Sequence, residues 1–139
     1  MIHVALDTNI IVSTMLKKNS ISGSIVDFCL NGILIPILDE NILNEYREVL
    51  SRPKFNFTED IIEDFLSGLS SRAVFVKAAT LDLHFTDDSD RKFYEVAMEH
   101  RKVAETFLVT GNLRHFPNES FIVSPRRMMD IVLAKAMSD

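Results

Sequence analysis

The sequence predicts an α/β fold, a three-layer α/β/α sandwich around a central parallel sheet of about five strands. Short apolar runs of strand length alternate with stretches of helical periodicity, as they do in βαβ units. Residues suited to capping helices stand directly before several of the helical stretches. Because 139 residues is the length of a single domain, we expect residues 1–139 to form one.

The strands are predicted from apolar runs that are bounded by polar or turn-forming residues. They cover residues 2–6, 33–38, 73–76, 106–109 and 121–123. About 26 residues separate the first two strands, and they are predicted to form two helices because the polar segment 17–20 interrupts the pattern. In a parallel sheet the carboxyl ends of all strands lie at one edge.

Capping residues predict where the remaining helices begin. Asp39 starts a helix that runs to about residue 51, and Thr58 starts one that runs to about residue 70. Asp87 or Asp88 starts a third that reaches residue 100. The last helix begins at Ser124, which is followed by a proline, a residue tolerated at the first helical position.

Composition indicates a folded protein that works in the cytoplasm. Apolar residues make up 47% of the chain and charged residues 25%. No apolar run approaches the roughly 20 residues that span a bilayer, and the N-terminus lacks the features of a signal peptide. The net charge of -5 argues against a broad basic surface that coats nucleic acid. It is compatible with an enzyme in which acids converge on metal ions.

Polar residues stand at the carboxyl ends of two predicted strands. Asp7 ends the first apolar run, and Thr110-Gly111-Asn112 follows the fourth. Open α/β folds bind their ligands at this edge of the sheet, and a parallel arrangement is expected to bring the two turns together. Each has a plainer interpretation by itself, Asp7 as a helix cap and the second segment as an ordinary turn.

Two further acids lie beside the apolar faces of predicted helices. Glu45 lies about 100° from the centre of its helix's apolar stripe, where it can reach inward or serve as a salt-bridging border residue. Asp90 falls on nearly the same side of its helix as Phe93, where an apolar residue would be expected. Asp90 is therefore a candidate site residue.

Carboxylate and amide oxygens without cysteine are hard ligands, which suit Mg²⁺ or Mn²⁺ better than zinc. The four histidines show no zinc-type spacing. A hard divalent ion held by a few acids suits hydrolysis of a phosphodiester, because it lowers the pKa of a water, orients it and neutralises charge on the phosphate.

Taken in order, these segments resemble those of PIN-domain proteins, and most nearly the branch described as toxins of prokaryotic toxin-antitoxin systems. The segments that carry the likeness are 7–9, 43–46, 50–55, 87–97 and 110–117, which together span almost the whole chain. The resemblance implies an α/β/α sandwich and a ribonuclease that depends on Mg²⁺ or Mn²⁺. It also implies an RNA substrate, a cognate antitoxin protein and a homodimer.

The resemblance places the catalytic positions on Asp7, Glu45, Asp90 and Asn112, with the metal held by the three acids. Aspartate is frequent at the fourth position in the family. Asn112 can supply an oxygen ligand, but it brings no charge and cannot act as a base. The sequence therefore leaves open whether the site binds one metal ion or two. Three polar groups would orient the ligands or a water: Thr8, Asn9 and Thr110.

Cations close to these positions in the sequence predict a basic rim that grips RNA, with an ordinary solvated surface as the alternative. They are Arg47, Arg52, Lys54, Arg91, Lys92 and Arg114. Phe55 and Phe57 could stack on bases, although packing within the protein is the favoured interpretation.

Two other functions compete with the nuclease hypothesis. A catalytically weak PIN-like module that binds RNA or protein would explain Asn112 and the acidic composition. A phosphohydrolase with an aspartyl-phosphate intermediate would use Asp7, since haloacid-dehalogenase-like enzymes have an Asp-x-Asp motif at this point. Asn9 takes the place of the second acid here and disfavours that reading.

Overall fold

A five-stranded parallel sheet forms the centre of the protein, and the computed structural model describes residues 1–81, 85 and 87–138. The strands are β1 (His3–Leu6), β2 (Ile35–Leu38), β3 (Val74–Phe75), β4 (Thr106–Val109) and β5 (Ile122–Val123). The helices are α1 (Thr8–Leu16), α2 (Ile21–Leu30), α3 (Glu40–Leu50), α4 (Glu59–Arg72), α5 (Arg91–His100) and α6 (Pro125–Ser138). The predicted three-layer α/β/α class is confirmed.

Strand β1 lies at the point where the order of the sheet reverses. The order is β3-β2-β1-β4-β5, so the chain adds β2 and β3 on one side of β1 and then β4 and β5 on the other. Leu6 pairs with Val109 at the carboxyl ends of β1 and β4. Open α/β sheets bind ligands in the crevice at such a switch point. The next residues along the two strands, Asp7 and Thr110, therefore meet at that crevice.

Strand β2 begins at Ile35, two residues later than predicted. The backbone N–H groups of Ile33 and Leu34 both donate to the Phe28 carbonyl at the end of α2, at 2.9 and 3.1 Å. Gly32 turns the chain there with a φ of 80°, a conformation that glycine adopts without strain. These residues therefore terminate a helix and are unavailable to the strand. Strands β3 and β5, at the two sheet edges, are also shorter than predicted.

The predicted caps of α3, α4 and α6 are confirmed. Each helix begins with a side-chain oxygen of Asp39, Thr58 or Ser124 that accepts a hydrogen bond from a backbone N–H three residues on. Asp87 instead caps a single 3-10 turn formed by residues 88–90, and α5 starts only at Arg91. This turn places Asp90 at the junction that leads into α5.

The core is apolar and includes Cys29, which is buried as a small hydrophobe. Burial raises the pKa of the Cys29 thiol to about 12, so the thiolate is strongly disfavoured. Within the described ranges of the chain, none of the helices has the length and apolar character needed to cross a membrane.

Candidate metal centre

Asp7 occupies the end of β1 and is buried, with 5% of its surface exposed. Its Oδ1 accepts a hydrogen bond from the Thr8 N–H at 2.7 Å, and its Oδ2 accepts one from the Asn9 side chain at 3.2 Å. Burial raises the pKa of Asp7 and the nearby Glu45 charge raises it further, while hydrogen bonds from Thr110 and Thr8 lower it. The carboxylate is thus held in one orientation in a partly desolvated position.

The turn after β4 lies against Asp7. The Thr110 hydroxyl donates to Asp7 Oδ2 at 2.6 Å and accepts from the Asn112 N–H at 2.9 Å. The Gly111 N–H donates to Asn9 Oδ1 at 3.2 Å, which joins the two turns a second time. Asn112 itself is exposed at the rim of the site. The backbone of this turn is therefore fixed by Thr110, while Asn112 is exposed.

Asp90 is the second buried carboxylate, with 8% of its surface exposed. Burial and the charges of Asp7 and Asp87 raise its pKa to about 6, while the neighbouring His115 lowers it. Its Oδ2 is buried and has no hydrogen-bond partner among the described residues, although His115 Nδ1 lies 3.3 Å away in an ion-pair contact. An unsatisfied carboxylate oxygen is costly to bury, which is the situation expected where a cation binds.

Glu45 reaches the same region from α3, but both of its oxygens have protein partners. Lys92 Nζ lies 2.5 Å from Oε1, and the Thr8 hydroxyl donates to Oε2. Tyr46, the next residue on α3, donates a hydrogen bond to the Leu6 carbonyl at the end of β1 and is fully buried. That contact anchors α3 beside the strand end, and it explains why Glu45 points to the site and not to solvent.

The donor set at this position suits one hard divalent ion. Asp7 and Asp90 offer carboxylate oxygens, and Asp90 Oδ2 accepts no hydrogen bond from the described residues, with His115 Nδ1 as an ion-pair contact at 3.3 Å. Across the part of the chain that the structure describes, no group of three or more His, Cys, Asp or Glu side chains forms a preassembled metal cage. Of the three acids assigned from the sequence, Asp7 interacts electrostatically with both Glu45 and Asp90, while Glu45 is engaged by Lys92 and Thr8.

The sequence predicts no role for His115 and places Lys92 in the basic rim. The structure brings His115 to Asp90 and Lys92 to Glu45. His115 lies in the short 3-10 turn after Asn112, so its approach to Asp90 depends on a contact between segments distant in the sequence. Lys92 and Glu45 lie on different helices, and nothing in either helix alone indicates that their side chains meet.

The other predicted RNA-binding cations are distributed around the molecule. Arg47 pairs with Glu63 at 2.9 Å and Arg52 pairs with Glu48 at 3.1 Å. Lys54 lies over the Phe55 ring, which in turn stacks on Phe57 with 5.9 Å between ring centroids. Arg91 contacts Asp88 at 3.0 Å. Arg114 is exposed and lines a shallow cavity beside Thr110, Gly111 and Asn112, directly next to the candidate site.

Comparisons with known proteins agree with this fold. A family profile described as PIN domain matches residues 3–114. An uncharacterized protein of Methanocaldococcus jannaschii, MJ1680, is 28% identical over 114 residues, which are 80% of this chain and 71% of that protein. The crystal structure of PAE2754 from Pyrobaculum aerophilum superposes with a TM-score of 0.59 at 11% identity, over 96% of this chain and 90% of that one. The structural likeness demonstrates a shared fold.

Proposed function

The chain belongs to the PIN-domain family, and from that premise we propose that it is a ribonuclease of toxin type that hydrolyses RNA phosphodiesters with Mg²⁺ or Mn²⁺. One observation supports this most directly. Two buried carboxylates, Asp7 and Asp90, lie together at the switch point of the sheet, and the Asp7 charge raises the pKa of Asp90. Neighbouring buried carboxylates of this kind need a cation to be ionised together.

Each residue at the site has a task in the proposed reaction. Asp7 and Asp90 would hold the ion, which would supply an activated water and neutralise charge on the phosphate. Thr110, Asn9 and the Thr8 N–H keep Asp7 oriented, so the ligand is positioned before the substrate arrives. Arg114, exposed beside the Thr110 turn, would contact an RNA phosphate.

The test is incubation of the protein with total RNA and Mn²⁺, with the cut sites mapped. We expect cleavage that leaves 3′-hydroxyl and 5′-phosphate ends and stops when EDTA is added. Asp7→Asn should lower the rate at least about tenfold, because it removes a charged ligand. Asp64→Asn is the matched control, since Asp64 is an exposed acid of α4. Robust, EDTA-resistant cleavage by Asp7→Asn would exclude this mechanism.

A catalytically weak module that binds RNA or protein is the second candidate. It is favoured by Asn112, which brings no charge, and by the engagement of Glu45 with Lys92. RNA binding that persists while neither Mg²⁺ nor Mn²⁺ supports cleavage would select this function over the nuclease.

The proposed toxin function extends to where the protein acts and what it binds. We propose that the protein acts in the cytoplasm, is inhibited by a small cognate antitoxin and forms a homodimer. Expression of the wild type should arrest growth, whereas expression of Asp7→Asn should not. Light scattering on the purified protein reports the dimer, and growth that is equal in both strains would contradict the toxin role.

A further inference from the structure

We propose that Lys92 is a built-in counter-ion for Glu45, which keeps Glu45 out of the coordination shell and limits the site to one divalent ion between Asp7 and Asp90. The inference deepens the proposed function, since it concerns the same ion. Glu45 and Lys92 then form a fixed ion pair at the edge of the site. Lys92 acts on metal binding and not, as the sequence predicts, on RNA binding.

The contacts of Lys92 show that its ammonium group is held at the edge of the site. Nζ lies 2.5 Å from Glu45 Oε1 and 2.6 Å from the Ser89 carbonyl oxygen, to which it donates a hydrogen bond. It also lies 5.4 Å from the centre of the Phe93 ring. These partners come from α3, the 3-10 turn and α5, so the ammonium group bridges the elements that carry Glu45 and Asp90.

Burial distinguishes this ion pair from the others. The side chains of Lys92 and Glu45 are 19% and 20% exposed, and among the ion pairs of the described residues only here are both partners less than a quarter exposed. Water screens a pair weakly at such a position, so separating the two charges is much less favourable than at the surface. Lys92 is therefore a strong competitor with a metal ion for Glu45.

The oxygen atoms of the three acids differ in availability. Glu45 Oε2 accepts a hydrogen bond from Thr8, so both of its oxygens are engaged. Asp90 Oδ2 accepts no hydrogen bond among the described groups and has an ion-pair contact with His115 Nδ1 at 3.3 Å, so it is less engaged than either oxygen of Glu45. Asp7, Glu45, Asp90 and Lys92 together carry two net negative charges when ionised, which one divalent ion neutralises. Asn112 adds no charge that would attract a second ion.

Mn²⁺ titration of metal-free protein, followed by the electron paramagnetic resonance of free Mn²⁺, tests the proposal. We expect one ion per wild-type chain. Lys92→Met keeps the stem but removes the charge, so it should bind Mn²⁺ at least about tenfold more tightly or take a second ion. Lys102→Met is the control, because Lys102 pairs with Glu99 and is 69% exposed. Wild-type stoichiometry and affinity in Lys92→Met, or no binding by either protein, would overturn the proposal.

The double variant Lys92→Met/Glu45→Gln separates a counter-ion pair from a ligand. If the pair is a neutral unit beside the metal, removing both members should return Mn²⁺ affinity to within about threefold of wild type. If Glu45 is itself a ligand, the double variant should bind at least about tenfold more weakly than wild type. Circular dichroism on each variant verifies folding, and Lys92→Gln replaces Lys92→Met if that chain is unfolded.

These measurements do not require RNA cleavage. A protein that shows the expected Mn²⁺ pattern but leaves RNA intact would refute the ribonuclease and leave the counter-ion proposal standing. A protein that cleaves RNA with Mn²⁺ but whose Lys92→Met variant binds the ion as the wild type does would refute the counter-ion alone.

Discussion

The Thr110 hydroxyl donates a 2.6 Å hydrogen bond to Asp7 Oδ2 and so joins the carboxyl ends of β4 and β1. The two residues are 103 positions apart in the chain, and both are buried. The contact positions the carboxylate that is central to the proposed metal site. It also compensates part of the cost of burying that carboxylate.

Thr110→Val should therefore destabilise the metal-free protein. The variant keeps the shape of the side chain but leaves Asp7 without a charge-assisted hydrogen bond, and we expect a loss of about 1–3 kcal/mol in the free energy of unfolding. Urea denaturation at pH 7.5 measures it. Thr110→Ser retains the hydroxyl and is the control; equal losses in both variants would show that the methyl group, not the hydrogen bond, matters.

Asp90→Asn should stabilise the metal-free protein at neutral pH. The folded-state pKa of Asp90 is about 6 against an ordinary value of 3.8, so the folded protein binds the proton more tightly than the unfolded chain does. Burial and the charges of Asp7 and Asp87 disfavour the ionised carboxylate, and His115 offsets only part of this, so ionised Asp90 opposes folding above pH 6. We expect Asp90→Asn to gain about 1–3 kcal/mol at pH 7.5 and the gain to shrink as the pH falls toward 4.

The measurement is urea unfolding of the wild type and Asp90→Asn at pH 7.5 and 4.5 in EDTA. Other groups that titrate are common to both proteins and largely cancel in the difference. A stability difference that is constant over this range would mean that Asp90 has an ordinary pKa in the fold.

His3 and His100 should make the protein less stable in mild acid. Their ring centroids are 4.5 Å apart, and burial is the main cause that lowers the pKa of each ring, with the His100 charge lowering that of His3 further. The unfolded chain binds protons first, so stability present above about pH 6.5 is lost as the pH falls through the folded-state values.

His100→Gln should reduce that slope. One ring that binds a proton on unfolding contributes at most about 1.4 kcal/mol per pH unit to the slope of the free energy of unfolding against pH. Between pH 7.5 and 5.5 the slope of the variant should therefore be smaller than that of the wild type by up to this amount. Thermal and urea unfolding at both pH values measure it. An unchanged slope would show that His100 binds a proton equally well in the folded and unfolded chains, so that its pKa is not lowered by folding.

Mn²⁺ should stabilise the wild type but not Asp7→Asn. An ion that binds the folded protein alone adds about 2.7 kcal/mol when its concentration is a hundred times the Kd. Differential scanning fluorimetry with increasing Mn²⁺ should show a rising Tm for the wild type and for Asp64→Asn, the exposed-acid control. A parallel rise in Asp7→Asn would place the ion elsewhere.

Arg114→Ala should weaken RNA binding more than Arg52→Ala. Arg114 is exposed beside the Thr110 turn, whereas Arg52 already pairs with Glu48. Loss of one phosphate contact should reduce the slope of the logarithm of the binding constant against the logarithm of salt concentration by about one, or slightly less for single-stranded RNA. Fluorescence anisotropy in the Asp7→Asn background measures binding without cleavage. Equal losses of RNA affinity in the two variants would argue against an RNA-binding surface centred on Arg114.

Local patterns account for most of what could be predicted. The apolar run before Asp7, the caps at Asp39 and Thr58 and the Ser-Pro start of α6 are encoded within a few residues, so periodicity and capping chemistry reveal them. Element ends were predicted less well. Residues 33 and 34 could join a strand by composition, but the carbonyl of Phe28 binds their N–H groups.

By itself, the sequence determined the α/β class, the placement of Asp7 and Thr110 at strand ends, and the unusual position of Asp90 beside an apolar helix face. Only the tertiary structure decided that β1 lies between β2 and β4, that Lys92 meets Glu45, and that Asp90 is buried deeply enough to titrate near pH 6. The reason is physical: strand and helix signals arise from neighbours in the chain, whereas desolvation and charge pairing depend on segments that packing alone brings together.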